Sequence, residues 1–201
     1  LNPHGTAVCG IITKQTNEEV EIINFDIYDE RPEYLTQKTL SALRYIEHNV
    51  DCDIINMSLG IRTPNTELEV VCRRITEKGI IIVAAFDNAG AISYPAAYSF
   101  VIGVDASPRC THADDFVYVD NNPVNVRGKG GLQRVAWTEP LYVVNQGTSF
   151  AAPYVTAYIT ELCKRGLNRI EVLENIREHA KYIYTKVGKM VLPERFEIKS
   201  A

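Results

Sequence analysis

Three polar residues in distant parts of this 201-residue chain have neighbours that suit nucleophilic chemistry. His4 follows Asn2 and Pro3, and because proline favours the first position of a helix, the imidazole is expected in a first helical turn. Ser149 follows a Gly-Thr pair at a predicted helix start, where free N–H groups and the helix dipole favour a developing oxyanion. Asn88 follows a predicted buried strand, from which its side-chain amide could donate to an anion.

Each of these residues also has a plain structural explanation when it is taken alone. A histidine beside glycines is often structural, and a serine before an alanine-rich helix often serves as its cap. Asn88-Ala89-Gly90 is also an ordinary turn sequence. Residues 56–60, Asn-Met-Ser-Leu-Gly, indicate only a strand that ends at glycine.

Strands and helices alternate along the chain, which predicts βαβ units and a parallel sheet. Helical spacing of apolar residues begins at Leu35, and a second helix is predicted from a capping box of Thr66 and Glu69 to Gly79. Two further helices are expected near Thr148 and after Asn168, a predicted N-cap. The predicted strands are residues 20–27, 53–59, 80–85, 100–104, 116–119 and 132–137.

Five segments in this order resemble the subtilisin-like serine proteases, the subtilase family. They are residues 4–10 (His-Gly-Thr-Ala-Val-Cys-Gly), 56–60, 84–90 (Ala-Ala-Phe-Asp-Asn-Ala-Gly), 94–104 and 147–153 (Gly-Thr-Ser-Phe-Ala-Ala-Pro). The resemblance extends from residue 4 to about residue 162 and is most specific in the last segment. It implies an α/β fold of three layers, with a mostly parallel central sheet and helices on both faces. We interpret residues 1–201 as a single peptidase domain.

The resemblance also implies roles for individual residues. Ser149 would be the nucleophile, His4 the general base, and Asn88, with the backbone N–H of Ser149, the oxyanion hole. The implied substrate-binding residues are Ser58, Leu59, Gly60, Ala84, Ala85 and Phe86. Phe86 and Asp87 replace the small residues that usually precede the oxyanion asparagine. We therefore predict either a pocket made shallower by Phe86 or one made attractive to a basic side chain by Asp87.

One element of the family pattern is missing from this sequence. Subtilases carry an aspartate on a strand well upstream of the histidine, and here only three residues precede His4. Asp26, Asp29 and Glu30 follow the histidine, at positions for which the family offers no precedent. We expect the domain to lack its N-terminal portion, and we predict that segment, or a propeptide, as a partner beside the polypeptide substrate.

Two other functions stay open at this point. A catalytically dead subtilase-like module would bind an extended peptide without cutting it, and the presence of an Asp-bearing strand would distinguish the two. A small-molecule-binding α/β domain would need a glycine-rich loop that follows a strand and opens a helix. Gly128, Gly130 and Gly131 lie in a turn-rich stretch, which disfavours that function.

Composition excludes other classes. A hydrophobic share of 46% suits a packed core rather than a disordered tail, and a net charge of −4 gives no basis for binding nucleic acid. No apolar run approaches the ~20 residues of a membrane span. Five scattered cysteines without a C-x-x-C pair favour free thiols and a cytoplasmic location. We expect no cofactor; calcium is common in the family, but no ligand pattern supports it.

Overall fold

A parallel sheet forms the centre of the protein, as seen in a computed structural model that describes residues 3–17, 19–28, 31, 34–120, 122–185 and 190–191. Within these residues the sheet order is β1-β2-β3-β5-β4-β8-β9. β1 to β3 and β5 are parallel, whereas β4 runs antiparallel to β5. The strands are β1 (Ile54–Met57), β2 (Ile81–Ala85), β3 (Ile102–Ala106), β4 (Val117–Val119), β5 (Val126–Gly128), β8 (Tyr182–Tyr184) and β9 (Met190–Val191).

The order of these strands follows from their composition. β2 is buried along its whole length, as a continuous apolar run requires when both faces of a sheet are covered. β1 and β3 flank it in parallel register, so the carboxyl ends of all three strands meet at one edge of the sheet. A separate antiparallel hairpin of β6 (Gln133–Ala136) and β7 (Tyr142–Asn145) lies apart from this sheet.

Helices cover both faces of the sheet, which confirms the predicted three-layer α/β architecture. α2 (Leu35–Asn49) and α3 (Thr66–Glu77) pack on one face. α4 (Thr148–Cys163) and α5 (Arg169–His179) pack on the other. α1 (Pro3–Gln15) lies against α4 and the β6–β7 hairpin through a small core of Ala7, Ile11, Val135, Phe150 and Tyr154.

The predicted strand at residues 20–27 is wrong, because residues 19–28 have no regular secondary structure. Phe25 packs against the core below α2, with its ring 5.9 Å from that of Tyr45, while Ile23 is exposed. A strand needs a neighbour for its backbone N–H and C=O groups. β1 ends the sheet on this side, and no strand among the described residues pairs with its outer edge.

Helix ends follow the predicted signals with one correction. α3 is capped by Asn65, whose side chain accepts the N–H of Leu68 at 2.8 Å, and Thr66 is the first helical residue. The predicted cap of α5 is confirmed, since Asn168 and Glu171 form a reciprocal capping box. Asn2, which precedes α1, lies outside the described residues.

Two further features bear on the sequence predictions. All five cysteines are free; Cys72 and Cys110 are buried, and the others are half-buried. None of the helices that the structure describes has the length and apolar character to cross a membrane.

Candidate active site

The start of α4 and the loop after β2 meet at Gly147. This residue adopts φ +147°, a conformation that favours glycine, directly before the helix. A Cβ at this position would lie 3.0 Å from Oδ1 and 3.5 Å from Nδ2 of Asn88, and 3.5 Å from Oγ of Ser149. The residues predicted as nucleophile and oxyanion donor therefore both lie next to one glycine, although 61 positions separate them in sequence.

The amide of Asn88 is held in one orientation by Thr148. The backbone N–H of Thr148 donates to Oδ1 of Asn88 at 2.8 Å. The buried hydroxyl of Thr148 donates to the carbonyl of Phe86 at 2.5 Å and lies 3.1 Å from the same Oδ1. Because Oδ1 accepts the backbone N–H, the two N–H groups of Nδ2 point away from Thr148, where they are able to donate to a negatively charged oxygen.

His4 lies in the first turn of α1, as predicted from Pro3. Its ring centroid is 5.4 Å from that of Phe150, the residue after Ser149, so the packing of α1 against α4 brings the imidazole to the start of α4. Burial lowers the pKa of His4, which favours the neutral ring that accepts a proton. Ala7 is fully buried in the α1–α4 contact, so the small residues after His4 permit this approach.

Ser58 supports the start of α4 through a hydrogen bond that the sequence explains. In a regular helix the carbonyl of Ser149 would accept the N–H of residue 153, but residue 153 is proline and has none. The Ser58 hydroxyl donates to that carbonyl instead, at 2.8 Å. Asn56 donates to Ser58 Oγ at 3.0 Å and accepts the hydroxyl of Thr156 at 2.8 Å.

The sequence predictions did not include Asn56 and Thr156. One sequence signal was available for Asn56: it is a polar residue inside an otherwise apolar strand, and a half-buried amide in such a place needs hydrogen-bond partners. Its partner Thr156 is 100 residues away, beyond the reach of any local pattern.

The predicted substrate-binding residues lie at the ends of β1 and β2. Ser58, Leu59 and Gly60 follow β1 directly. Ala84 and Ala85 are buried within β2, and the ring of Phe86 packs below Gly103, where an added Cβ would lie 2.6 Å from the ring. The core therefore holds the side chains of residues 84–86. Their contact with substrate stays a prediction, and it rests on their backbone groups.

The hypothesis that Asp87 attracts a basic substrate side chain is not supported by its contacts. Arg62 donates to both carboxylate oxygens of Asp87, at 3.0 and 2.9 Å, and the N–H of Ala89 donates at 2.8 Å. The hydrogen bonds from Arg62 make the largest contribution to lowering the pKa of Asp87 below its ordinary value, and the N–H of Ala89 lowers it further. The charge of the carboxylate is thus already balanced by a cation of the same chain.

Three carboxylates follow His4 in the sequence at positions without a family precedent: Asp26, Asp29 and Glu30. Asp26 is exposed and accepts the N–H of Tyr28 at 3.1 Å. Asp29 and Glu30 lie outside the described residues. Among the described residues no group of three or more His, Cys, Asp or Glu side chains has an arrangement that would hold a metal ion.

The fold and the order of its sequence segments along the chain define a subtilisin-like α/β protein. A cold-adapted subtilisin-like serine proteinase superposes with a TM-score of 0.66 at 21% identity, over 86% of this chain and 66% of the other. The prenylagaramide maturation protease PagA superposes with a TM-score of 0.61 at 23% identity, over 83% and 67%. The sequence profile of the subtilase family matches residues 1–179, and the chain belongs to this family.

Curated relatives carry protease names. The chain is 28% identical over 191 residues to minor extracellular protease Epr of Bacillus subtilis (strain 168), covering 89% of this chain and 29% of the relative. It is 29% identical over 206 residues to the thermophilic serine proteinase of Bacillus sp. (strain AK1), covering 94% and 51%. It is 25% identical to subtilisin Savinase of Lederbergia lenta, covering 93% and 72%. The chain thus spans about half the second relative and less of the first.

Proposed function

We propose that this chain forms most of the catalytic domain of a serine endopeptidase, with Ser149 as nucleophile and His4 as general base. The observation that carries the proposal is the meeting of Ser149 and Asn88 at Gly147. A hydroxyl at a helix start beside an oriented amide donor is the combination that acyl transfer requires. Membership of the subtilase family supports the same reaction.

In the proposed mechanism, Ser149 Oγ attacks the carbonyl carbon of a peptide bond while His4 accepts its proton. The oxyanion accepts hydrogen bonds from Nδ2 of Asn88 and from the N–H of Ser149, which as a first-turn donor has no partner within the helix. His4 then protonates the leaving amine, and water hydrolyses the acyl ester by the same sequence of proton transfers. These steps need only side chains, backbone donors and water, so the proposal includes no cofactor.

The open edge of β1 supports a further part of the proposal. We infer that a strand from outside this sequence pairs with β1 and carries the aspartate that orients His4. Residues 19–28 have no strand partner in the described part of the chain, although their alternation predicts a strand. An inserted strand would give both this segment and β1 a hydrogen-bonding neighbour. The N-terminal segment of the same protein, or a processed chain, would supply this strand. The proposed substrate is a polypeptide.

Labelling with a fluorophosphonate tests the nucleophile in the protein that contains this chain. We expect one adduct, mapped by mass spectrometry to Ser149 and abolished in Ser149→Ala. Ser41→Ala, which removes an exposed helix hydroxyl, is the matched control and should label normally. An adduct at another residue would refute the assignment of Ser149. Absence of any adduct from the folded protein would refute the protease and favour the module that binds a peptide without cutting it.

A further inference from the structure

Two chain segments lie beside the start of α4, the residues after β1 and those after β2. One wall begins at Ser58, which is hydrogen-bonded to the carbonyl of Ser149, and continues through Gly60. The other begins at Asn88, beside Gly147, and continues back through Asp87. The resemblance to subtilases implies that, with a substrate carbonyl at Ser149 Oγ, the side chain on the amino side of the scissile bond would enter between these walls. We call this space the primary pocket; its use rests on the proposed function.

The hydroxyl of Ser93 fills the space between the two walls. Ser93 is fully buried, and its Oγ accepts the backbone N–H of Asp87 at 3.0 Å. On the opposite wall, a Cβ added to Gly60 would lie only 2.7 Å from the same Oγ. One hydroxyl therefore contacts both sides of the primary pocket, which places its floor at the level of Gly60 and Asp87.

Backbone hydrogen bonds close the far end of the pocket. Ile61 and Tyr94 exchange two of them, N–H to carbonyl, at 2.9 and 2.8 Å. This pair ties the segment after β1 to the segment that carries Ser93. If the two walls moved apart, both of these hydrogen bonds would break. The backbone N–H and C=O groups of Ile61 and Tyr94 would then be left unsatisfied, which opposes the movement.

The ion pair of Arg62 and Asp87 joins the same walls on the solvent side. Arg62 follows Ile61, and its side chain is 64% exposed, whereas that of Asp87 is 18% exposed. Two hydrogen bonds join the planar guanidinium of Arg62 to the planar carboxylate of Asp87, and this bidentate pairing fixes the orientation of the guanidinium. Because the two charges are paired with each other, the described residues of the rim carry no unpaired carboxylate that would attract a substrate lysine or arginine.

We propose that Ser93 and the Arg62–Asp87 pair make the primary pocket a shallow one that selects glycine, alanine or serine before the scissile bond. A hydrogen atom, a methyl or a hydroxymethyl group stops short of the Ser93 hydroxyl. A leucine, phenylalanine or lysine side chain would have to displace it and break its bond to Asp87. The shallowness thus originates from Ser93, and the ring of Phe86 contributes only from the core.

Peptides that differ only in the residue before the scissile bond test this proposal in the protein that contains the chain. We expect kcat/KM for alanine to exceed that for leucine, phenylalanine and lysine at least tenfold, since each misfitting methylene costs about tenfold or more. Arg62→Ala should narrow the gap between alanine and lysine. Ser93→Gly should raise kcat/KM for leucine relative to alanine. Arg44→Ala, at an exposed ion pair elsewhere, is the control and should leave the profile unchanged.

Two results would overturn the proposal in distinguishable ways. A preference for leucine, phenylalanine or lysine in protein whose Ser149 is labelled by a fluorophosphonate would refute the shallow pocket alone. No cleavage together with no label would refute the proposed function and the pocket with it. Arg62→Ala changes an exposed side chain and should fold normally, so the proposal stays testable if Ser93→Gly proves unstable.

Discussion

Substitution of Ser58 by alanine should destabilise the protein far more than the loss of an ordinary helix hydroxyl. The Ser58 hydroxyl takes the place of the N–H that Pro153 lacks, so its removal leaves the carbonyl of Ser149 without a donor. It also leaves Nδ2 of Asn56 without its acceptor at 3.0 Å. Both groups lie at the junction of β1 and α4, where the site is built.

The magnitude follows from these two losses. An unsatisfied buried polar group costs about 1–3 kcal/mol. Both hydrogen bonds are only partly buried, and water that reaches them reduces the cost, so the lower half of that range applies. The sum over the two groups is about 2–4 kcal/mol in the free energy of unfolding. For a chain of this length that corresponds to a fall in Tm of about 4–16 °C.

Thermal and urea unfolding, followed by circular dichroism, measure the effect. Ser41→Ala is the matched control, because its hydroxyl also donates to a helix carbonyl, that of Gln37, which has a regular N–H partner as well. Its expected effect is below about 0.5 kcal/mol. Pro153→Ala would restore an N–H donor to the Ser149 carbonyl. The free energy of unfolding of the double variant Ser58→Ala/Pro153→Ala should therefore exceed that of Ser58→Ala by at least about 1 kcal/mol.

Two results would refute this reasoning. Equal effects of Ser58→Ala and Ser41→Ala would mean that the carbonyl of Ser149 finds water or another donor at no cost. Strict additivity of Ser58→Ala and Pro153→Ala would mean that the proline and the hydroxyl are not linked through that carbonyl.

Three further predictions concern the site. Asn88→Leu should slow peptide hydrolysis by about 10²–10³ in kcat, the usual cost of removing one oxyanion donor, with little change in KM; an unchanged kcat would contradict its role. Burial lowers the pKa of His4, so an NMR titration of the chain should place its midpoint below the ordinary value of about 6.5. The folded chain then binds fewer protons at His4 than the unfolded chain does. The contribution of His4 to the free energy of unfolding is therefore lost as the pH falls from about 6.5 through that midpoint. A midpoint above about 6.5 would contradict this prediction and indicate a carboxylate partner. Gly130→Ala should lower Tm and slow fluorophosphonate labelling together, since its Cβ would lie 2.5 Å from Cβ of Ala106 and 2.8 Å from the carbonyl of Gly147; wild-type labelling would count against this coupling.

Sequence patterns predict the centre of this fold well, because its strongest signals are local. The apolar run at residues 80–85 corresponds to β2, and the spacing from Leu35 corresponds to α2. Short strands are harder, and β5 and β8, three residues each, were not predicted because so few residues carry little periodicity. The segment at residues 20–27 shows the opposite error, since its alternation is real but a strand also depends on a neighbouring backbone.

Site geometry depends on contacts between distant positions, which a single sequence does not reveal. Asp87 looked like a free acid beside the predicted pocket, but Arg62, 25 residues earlier, balances its charge. Phe86 looked like a pocket residue, but the missing side chain of Gly103 leaves room for its ring in the core. In both cases the role of the side chain depends on a residue of another segment, Arg62 for Asp87 and Gly103 for Phe86, which the local sequence does not indicate.

The open edge of β1 has a consequence for handling the protein. No strand of the described part of the chain pairs with the N–H and C=O groups of that edge, and they offer a template to any extended chain, including the same edge of a second copy. Produced by itself at high concentration, the chain should therefore self-associate reversibly, with β1 as the first point of contact. A soluble peptide able to pair with that edge would act as a capping agent and keep the chain monomeric.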